Sequence, residues 1–135
     1  MATETLTVRT ADPDEDALTV RRILDAAMLE VDGLSARLEA GTVFVATEGL
    51  EDERIRGVLV LEPRADGTGA RVEAIAVRRR HRARGIGTVL VEDALARERR
   101  LTAEFDANVR PFYDALGFQS EHLESGRYRG WLERE

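Results

Sequence analysis

The sequence predicts an α/β domain in which helices pack on one mixed sheet, and three observations carry that prediction. Residues 12–31 hold a long run of helical periodicity, and residues 42–61 hold two apolar runs around a polar turn. Residues 71–97 pass from an apolar strand through a basic loop into an amphipathic helix. Strand–helix–strand units place strands side by side in parallel while hairpins pair them antiparallel, so a chain with both builds a mixed sheet. The 135 residues are enough for one domain, residues 1–135, with a sizeable core.

Thr5–Arg9 alternates weakly and reads as the first strand. A helix start follows, with Asp12 as N-cap, Pro13 at N1 and Glu15 at N3 in capping-box spacing. Val20, Ile23, Leu24, Ala27, Met28 and Val31 then form one apolar stripe, which Gly33 ends. Ser35–Ala40 is a second, short helix. Thr42–Thr47 and Arg54–Leu61 read as a hairpin across the polar turn Glu48–Glu53. Arg71–Val77 is the next strand, reached through the glycine-containing loop Pro63–Gly69. Gly85–Arg97 is a helix that turns Ile86, Val89, Leu90 and Ala94 inward, with arginines near its C-terminal end where the dipole favours them. Leu101–Ala107 alternates as a strand. Val109–Leu116 is a short helix with Asn108 as N-cap and Gly117 at C′. Phe118–Leu123 and Arg127–Leu132 close the chain around the turn Glu124-Ser125-Gly126. The order is β-α-α-β-β-β-α-β-α-β-β.

Composition excludes several classes. Apolar residues make up 43% and charged residues 34%, the balance of a folded globular chain. Cysteine is absent, which removes disulfides, a thiol nucleophile and thiolate-bound metals. His81 and His122 have no metal-ligand spacing around them, so no metal is expected. The N-terminus lacks the basic and apolar regions of a signal peptide. The longest strongly apolar run, Val58–Leu61, is far below the roughly 20 residues that span a bilayer. A cytoplasmic protein without membrane contact is the expectation. All 20 basic residues are arginine against 26 acids, a formal net charge of −6, which argues against nucleic acid as a partner.

Against that acidity, Arg78, Arg79, Arg80, Arg82 and Arg84 crowd into one loop with His81 among them. The loop follows an apolar strand and runs into Gly85-Ile86-Gly87 at a helix start. Unpaired N–H groups and the partial positive charge of a helix N-terminus, with glycines that let the backbone come close, suit a phosphorylated ligand. Arg82-Ala83-Arg84-Gly85-Ile86-Gly87 fits R-x-x-G-x-G. It is not the dinucleotide fingerprint, because Leu90 stands where the third glycine belongs, and no Gly-Lys-Ser/Thr follows to make a P-loop. The side chains of Arg78, Arg79 and Arg80 either form a solvated face or reach the ligand.

The stretch Ile75-Ala76-Val77, its four-residue spacer and Arg82–Thr88 together resemble the central acyl-CoA-binding motif of the GNAT superfamily of acyl-CoA-dependent N-acyltransferases. Residues 107–118, ANVRPFYDALGF, are similar to a later segment of the same family, and the element order fits as well. The resemblance implies a mostly antiparallel central sheet flanked by helices, with acetyl-CoA as co-substrate and an amine of a small molecule or peptide as acceptor. It implies that the backbone of Ile75, Ala76 and Val77 pairs with the pantetheine arm. It implies that N–H groups from Arg82, Ala83, Arg84, Gly85, Ile86 and Gly87 hold the pyrophosphate, with the Thr88 hydroxyl nearby. Tyr113 matches the general acid that protonates the departing thiolate. Glu73, which interrupts an apolar strand, is the candidate general base; the other reading is a glutamate paired with Arg71 on the same strand face.

The chain departs from the family at one position. An asparagine is common seven residues before the tyrosine, and Asp106 stands there. Asn108 either takes over that cofactor contact or only caps the following helix. Thr102, Glu104, Asp106 and Asn108 share one strand face, where the acids either attract a cationic acceptor or are solvated. A non-catalytic acyl-CoA-binding regulatory module of the same fold is the alternative function. Edge strands near the C-terminus could pair two subunits into a homodimer.

Overall fold

The computed structural model describes residues 5–134. Along the chain run β1 (Leu6–Thr10), α1 (Ala17–Ala26), α2 (Leu34–Glu39), β2 (Val43–Glu48), β3 (Arg54–Pro63) and β4 (Ala70–Val77). There follow α3 (Ile86–Arg97), β5 (Arg100–Asp106), α4 (Arg110–Leu116), β6 (Gln119–His122) and β7 (Arg127–Glu133). Short 3-10 turns at Arg79–His81 and Ala107–Val109 lead into α3 and α4. The order of elements is the one expected.

The seven strands form one sheet in the order β1-β2-β3-β4-β5-β7-β6. Every neighbouring pair is antiparallel except β4 and β5, which the crossover helix α3 makes parallel. These two strands pair only at Ala70↔Leu101 and Arg71↔Thr102. Beyond Arg71 they separate, while β5 stays paired with β7 on its other edge along its whole length, from Arg100↔Glu133 to Asp106↔Arg127. A second irregularity lies nearby. The register of β3 against β4 steps from Val60↔Ala74 to Leu61↔Val72, which leaves Glu73 as the extra residue of a β-bulge. Ala70 and Val72 consequently face the α3 side, whereas Ala74 and Ala76 face α1.

Both faces of the sheet are covered. Val20, Ile23 and Leu24 of α1 with Leu34 and Leu38 of α2 pack on Val43, Val45, Val58 and Val60. On the other face, Ile86, Leu90, Val91 and Ala94 of α3 pack on Phe44, Ala46, Leu59 and Leu61. Strands covered twice bury every side chain, which is why residues 43–46 and 58–61 read as continuous apolar runs.

The start of α1 corrects one expectation. The helix begins at Ala17 with Asp16 as its N-cap, not at Pro13 after Asp12; Asp12 instead closes the turn ahead of the helix, its Oδ1 accepting from the N–H groups of Asp14 and Glu15 at 2.8 and 2.9 Å. The reciprocal carboxylate, however, is Asp16 and not Glu15: Asp16 Oδ2 accepts the Asp12 N–H at 2.6 Å. Asp16 is buried and also accepts from Arg9 at 2.7 Å. Burial pushes its carboxyl up, but the hydrogen bonds from Arg9 and Asp12 outweigh that and hold it below the usual range.

The end of α1 corrects another. The helix stops at Ala26, so Met28 leaves the stripe, while Val31 still packs against the α1-side core from beyond the helix end. Met28 adopts φ +59, its N–H bonds to the Asp25 carbonyl at 2.9 Å, and the Leu29 N–H bonds to the Leu24 carbonyl at 3.0 Å. That is a Schellman turn with methionine where glycine is usual. Met28 is left 91% exposed. Gly117 ends α4 with the same two bonds at φ +97, as expected. Asn108 does not cap α4: it lies exposed inside the 3-10 turn, and the N-cap is Val109, without a side-chain bond. Pro111 at the helix start leaves one fewer N–H for a cap to satisfy.

Asp16→Ala is expected to lose about 1–3 kcal/mol, since it leaves the Asp12 N–H without its acceptor and removes one of the two carboxylates that hold Arg9. Urea midpoints check this. Because the folded-state pKa of Asp16 is depressed, its contribution is present above the ordinary carboxylate pKa and fades as the pH falls below it. The gap between wild type and variant should therefore narrow below about pH 4.

Candidate active site

The separation of β4 from β5 leaves a wedge. Ile75, Ala76 and Val77 pair with β3 on one side, and on the other edge no strand meets them among the described residues. An extended ligand can add to such an edge as a strand would, through backbone N–H and C=O groups.

At the end of β4 the wedge meets the basic loop. The Arg78 N–H bonds back to the Arg56 carbonyl at 2.8 Å, the 3-10 turn follows, and Ala83 and Gly85 both take positive φ, +62 and +80. The first helical bond of α3 returns from the Val89 N–H to the Gly85 carbonyl at 3.0 Å. The N–H groups of Ile86, Gly87 and Thr88 thus have no acceptor within the helix. The two glycines do different work, which the sequence reading had joined. A Cβ on Gly85 would meet nothing within 4 Å, so its backbone is open to a ligand. A Cβ on Gly87 would lie 3.3 Å from the Phe112 ring, so Gly87 makes room for α4 to pack on α3.

Side chains tie the loop into shape. Arg84 donates to Glu48 Oε2 at 3.1 Å and meets His81 Nδ1 at 2.7 Å. Glu48, at the end of β2 and only 7% exposed, also accepts from Arg56 at 3.0 Å. Desolvation and then the Arg56 and Arg84 guanidinium groups lower the proton affinity of His81, which suits Nδ1 as the acceptor from Arg84. Arg78 and Arg82 donate their Nε–H groups to the carbonyls of Ile55 at 2.9 Å and Val77 at 3.3 Å. Arg78 is therefore part of the loop's internal bonding, while Arg79 and Arg80 stay exposed. Glu48 is a residue that sequence reasoning missed; it read as the first residue of a polar turn.

Tyr113 packs in the core on the α3 side of the sheet. It is 3% exposed, stacked on Phe105 of β5 at 4.4 Å between ring centroids, with Phe112 and Phe118 edge-on at 5.0 and 5.1 Å. Its hydroxyl bonds to no other described residue, and burial pushes its pKa up to about 12. Glu73 sits on the opposite face, below α2. Arg71 donates to it, Arg37 approaches to 4.0 Å, and Glu62 joins the same two arginines at 3.5 and 3.2 Å. Of the two readings of Glu73, the pairing with Arg71 is present. Thr88 is half-buried in the first turn of α3. Asp106 is paired with Arg127 at 2.9 Å, and Glu104 faces Arg129 across the β5–β7 ladder. Among the described residues no group of three or more His, Asp or Glu side chains could hold a metal. No helix is long and apolar enough to cross a membrane.

The sequence pattern of the acetyltransferase (GNAT) domain matches residues 39–120. No curated protein matches the chain in sequence. Among solved structures, the fold is similar to that of N-acetylglutamate synthase from Neisseria gonorrhoeae complexed with coenzyme A and L-arginine. There the TM-score is 0.79 and the identity 14%, over 98% of this chain and 34% of that one. It is similar to Ard1 from Thermoplasma volcanium, with a TM-score of 0.75 and 21% identity over 96% of this chain and 98% of that one. An acetyltransferase of Bacillus cereus ATCC 10987 gives a TM-score of 0.76 at 16% identity, over 97% of this chain and 99% of that one. At these identities the likeness is one of fold.

The two glycines should separate by stability. Gly87→Val forces a branched side chain onto Phe112 and is expected to cost about 1–3 kcal/mol. Gly85→Asn keeps a residue that tolerates positive φ in open space and should cost less than about 1 kcal/mol. Urea denaturation of both variants checks this; equal losses would mean that the two positions share one role.

Proposed function

The chain belongs to the GNAT acetyltransferase family, and we propose that it transfers the acetyl group of acetyl-CoA to a primary amine of a small molecule or peptide. The observation that carries this reading is the wedge: an open strand edge that ends at a basic loop and a helix N-terminus beside the uncrowded backbone of Gly85. Acetyl-CoA supplies an acetyl group activated as a thioester. The backbone of Ile75, Ala76 and Val77 pairs with its pantetheine arm, and N–H groups from Arg82 to Gly87 hold its pyrophosphate, with the Thr88 hydroxyl alongside. Asn108 lies near the same end of β5 and is left as a peripheral cofactor contact. The amine attacks the carbonyl directly, since the chain has no cysteine to form an acyl-enzyme.

Tyr113 is the donor to the leaving sulfur. With its pKa near 12 it keeps its proton throughout the neutral range. Full transfer to a thiolate of pKa about 8.5 is uphill for such a phenol, so Tyr113 acts chiefly as a hydrogen-bond donor to the developing charge. Glu73 takes the proton of the amine, through water, from the α2 side. Its oxygens are held by Arg71 and approached by Arg37, so the two arginines fix where that carboxylate points. The same pairing, with the packing of Tyr113 among three phenylalanines, favours a second reading: an acyl-CoA-binding regulatory module without turnover. Release of CoA in the presence of a panel of amines, amino acids, polyamines and peptides separates the two.

Acetyl-CoA at about a hundred times its Kd should stabilise the protein by about 2.7 kcal/mol, and NAD should not. A melting curve that acetyl-CoA leaves unmoved contradicts the proposal. With a working acceptor, Tyr113→Phe is expected to lower kcat by about 10²-fold at nearly unchanged acetyl-CoA affinity. The same variant should lack the late phenolate absorbance step that the wild type shows near pH 12. Full kcat in Tyr113→Phe, where chemistry limits the rate, would make Tyr113 a packing residue.

A further inference from the structure

A cleft of about 1050 Å3 opens at the end of β4 on the α1 side of the sheet, between α1, the β2–β3 hairpin and the basic loop. Its floor is apolar and includes Ile23, Ala27, Ile55 and Val77. Its walls are guanidinium groups. Two carboxylates line it, Asp16 and Glu53, and Arg9 holds both at 2.7 Å.

The arginines around it are distributed unlike those elsewhere. With 26 acids for 20 arginines, acidic partners are in excess. Twelve arginines do form ion pairs among the described residues. Of the eight that form none, five line this one cleft: Arg22, Arg78, Arg79, Arg80 and Arg82. The side chains of Arg78 and Arg82 donate to backbone carbonyls, whereas the guanidinium groups of Arg22, Arg79 and Arg80 bond to no other described residue. Like charges around a concavity repel each other and focus a positive potential into it.

We infer that this cleft is a second ligand site, for a compact small-molecule polyanion that carries two or more phosphate or carboxylate groups. The planar guanidinium fork matches either group with two parallel hydrogen bonds, and the apolar floor accepts the ligand's body. The site is distinct from the one proposed for acetyl-CoA. The helix N-terminus of α3 belongs to the other face, where Ile86 and Leu90 enter the core, while Ile23 of α1 closes the cleft. Val77 and Arg82, whose backbone is proposed for acetyl-CoA, border the cleft with their side chains, and Arg79 and Arg80 stand on the loop between the two sites. Arg22 on α1 and Arg54 on the hairpin lie outside both the wedge and the loop.

Calorimetric titration of the CoA-saturated protein in about 0.15 M salt, where diffuse surface attraction is screened, tests this. Tripolyphosphate is the probe in one arm and citrate in the other. At least one should bind at one per chain, and Arg22→Ala/Arg54→Ala should weaken it tenfold or more while CoA affinity stays within twofold. Both side chains are exposed, so the variant should keep the wild-type circular dichroism and melting temperature. Absence of saturable binding by either probe, competition with CoA, or unchanged binding in the double variant would each overturn the site. If the protein fails to bind CoA, the same titration of the free protein still reads the cleft, so the two ideas fail separately.

Discussion

Two residue pairs hold β4 to β5, and everything that makes this molecule a candidate catalyst follows from their parting after Arg71. β5 pairs fully with β7 and β4 with β3 on their outer edges, while past Arg71 neither has a strand partner on the side of the wedge among the described residues. A strand edge opened inside a sheet presents backbone donors and acceptors that water or a ligand must satisfy. The site is thus built mostly of main chain. The two side chains proposed for the chemistry lie on opposite faces of the sheet, Tyr113 against Phe105 of β5 on the α3 side and Glu73 at the bulge beside Arg37 of α2.

The basic loop shows how a cluster of like charges is kept in one conformation. Glu48 is a buried carboxylate with two guanidinium partners, Arg56 from β3 and Arg84 from the loop, and it fastens the loop to the hairpin. Replacing Glu48 would leave Arg56 and Arg84 without the carboxylate they share, which costs more than losing an exposed pair because Arg56 is largely buried. Arg78 binds a carbonyl of the neighbouring β3 and Arg82 the last carbonyl of β4, so their charge remains unneutralised while their position is set. The loop is therefore rigid and electropositive at once, a combination suited to phosphate on either side of it.

Local chemistry was legible in the sequence wherever one short segment decides the outcome. Gly117 works as its spacing predicts, because a left-handed C′ residue involves only its own turn, and Asp12 makes the predicted bonds to the next N–H groups but in a turn ahead of the helix. The doubly covered strands announced themselves as unbroken apolar runs. The misreadings have equally local causes. Met28 carries a Schellman turn without glycine, so the apolar periodicity seemed to run on past the helix. Asn108 has the chemistry of a cap but falls in a 3-10 turn that precedes the helix.

By itself the sequence determined the order of elements, the basic loop with its glycines at the start of α3, and the identity of Tyr113 and Glu73 as the groups worth weighing. Periodicity, turn residues and motif spacing are properties of contiguous chain, and they survive without three-dimensional information. Only the tertiary structure decided which edge of β4 lies open, which glycine faces a ligand and which faces Phe112, and that Glu48 anchors the loop across 36 residues of chain to Arg84. It also decided which arginines remain without an acid, gathering Arg22 from α1 beside Arg79 and Arg80. These depend on pairings between segments far apart in sequence, where the presence of a partner is fixed by packing and not by any residue's neighbours along the chain.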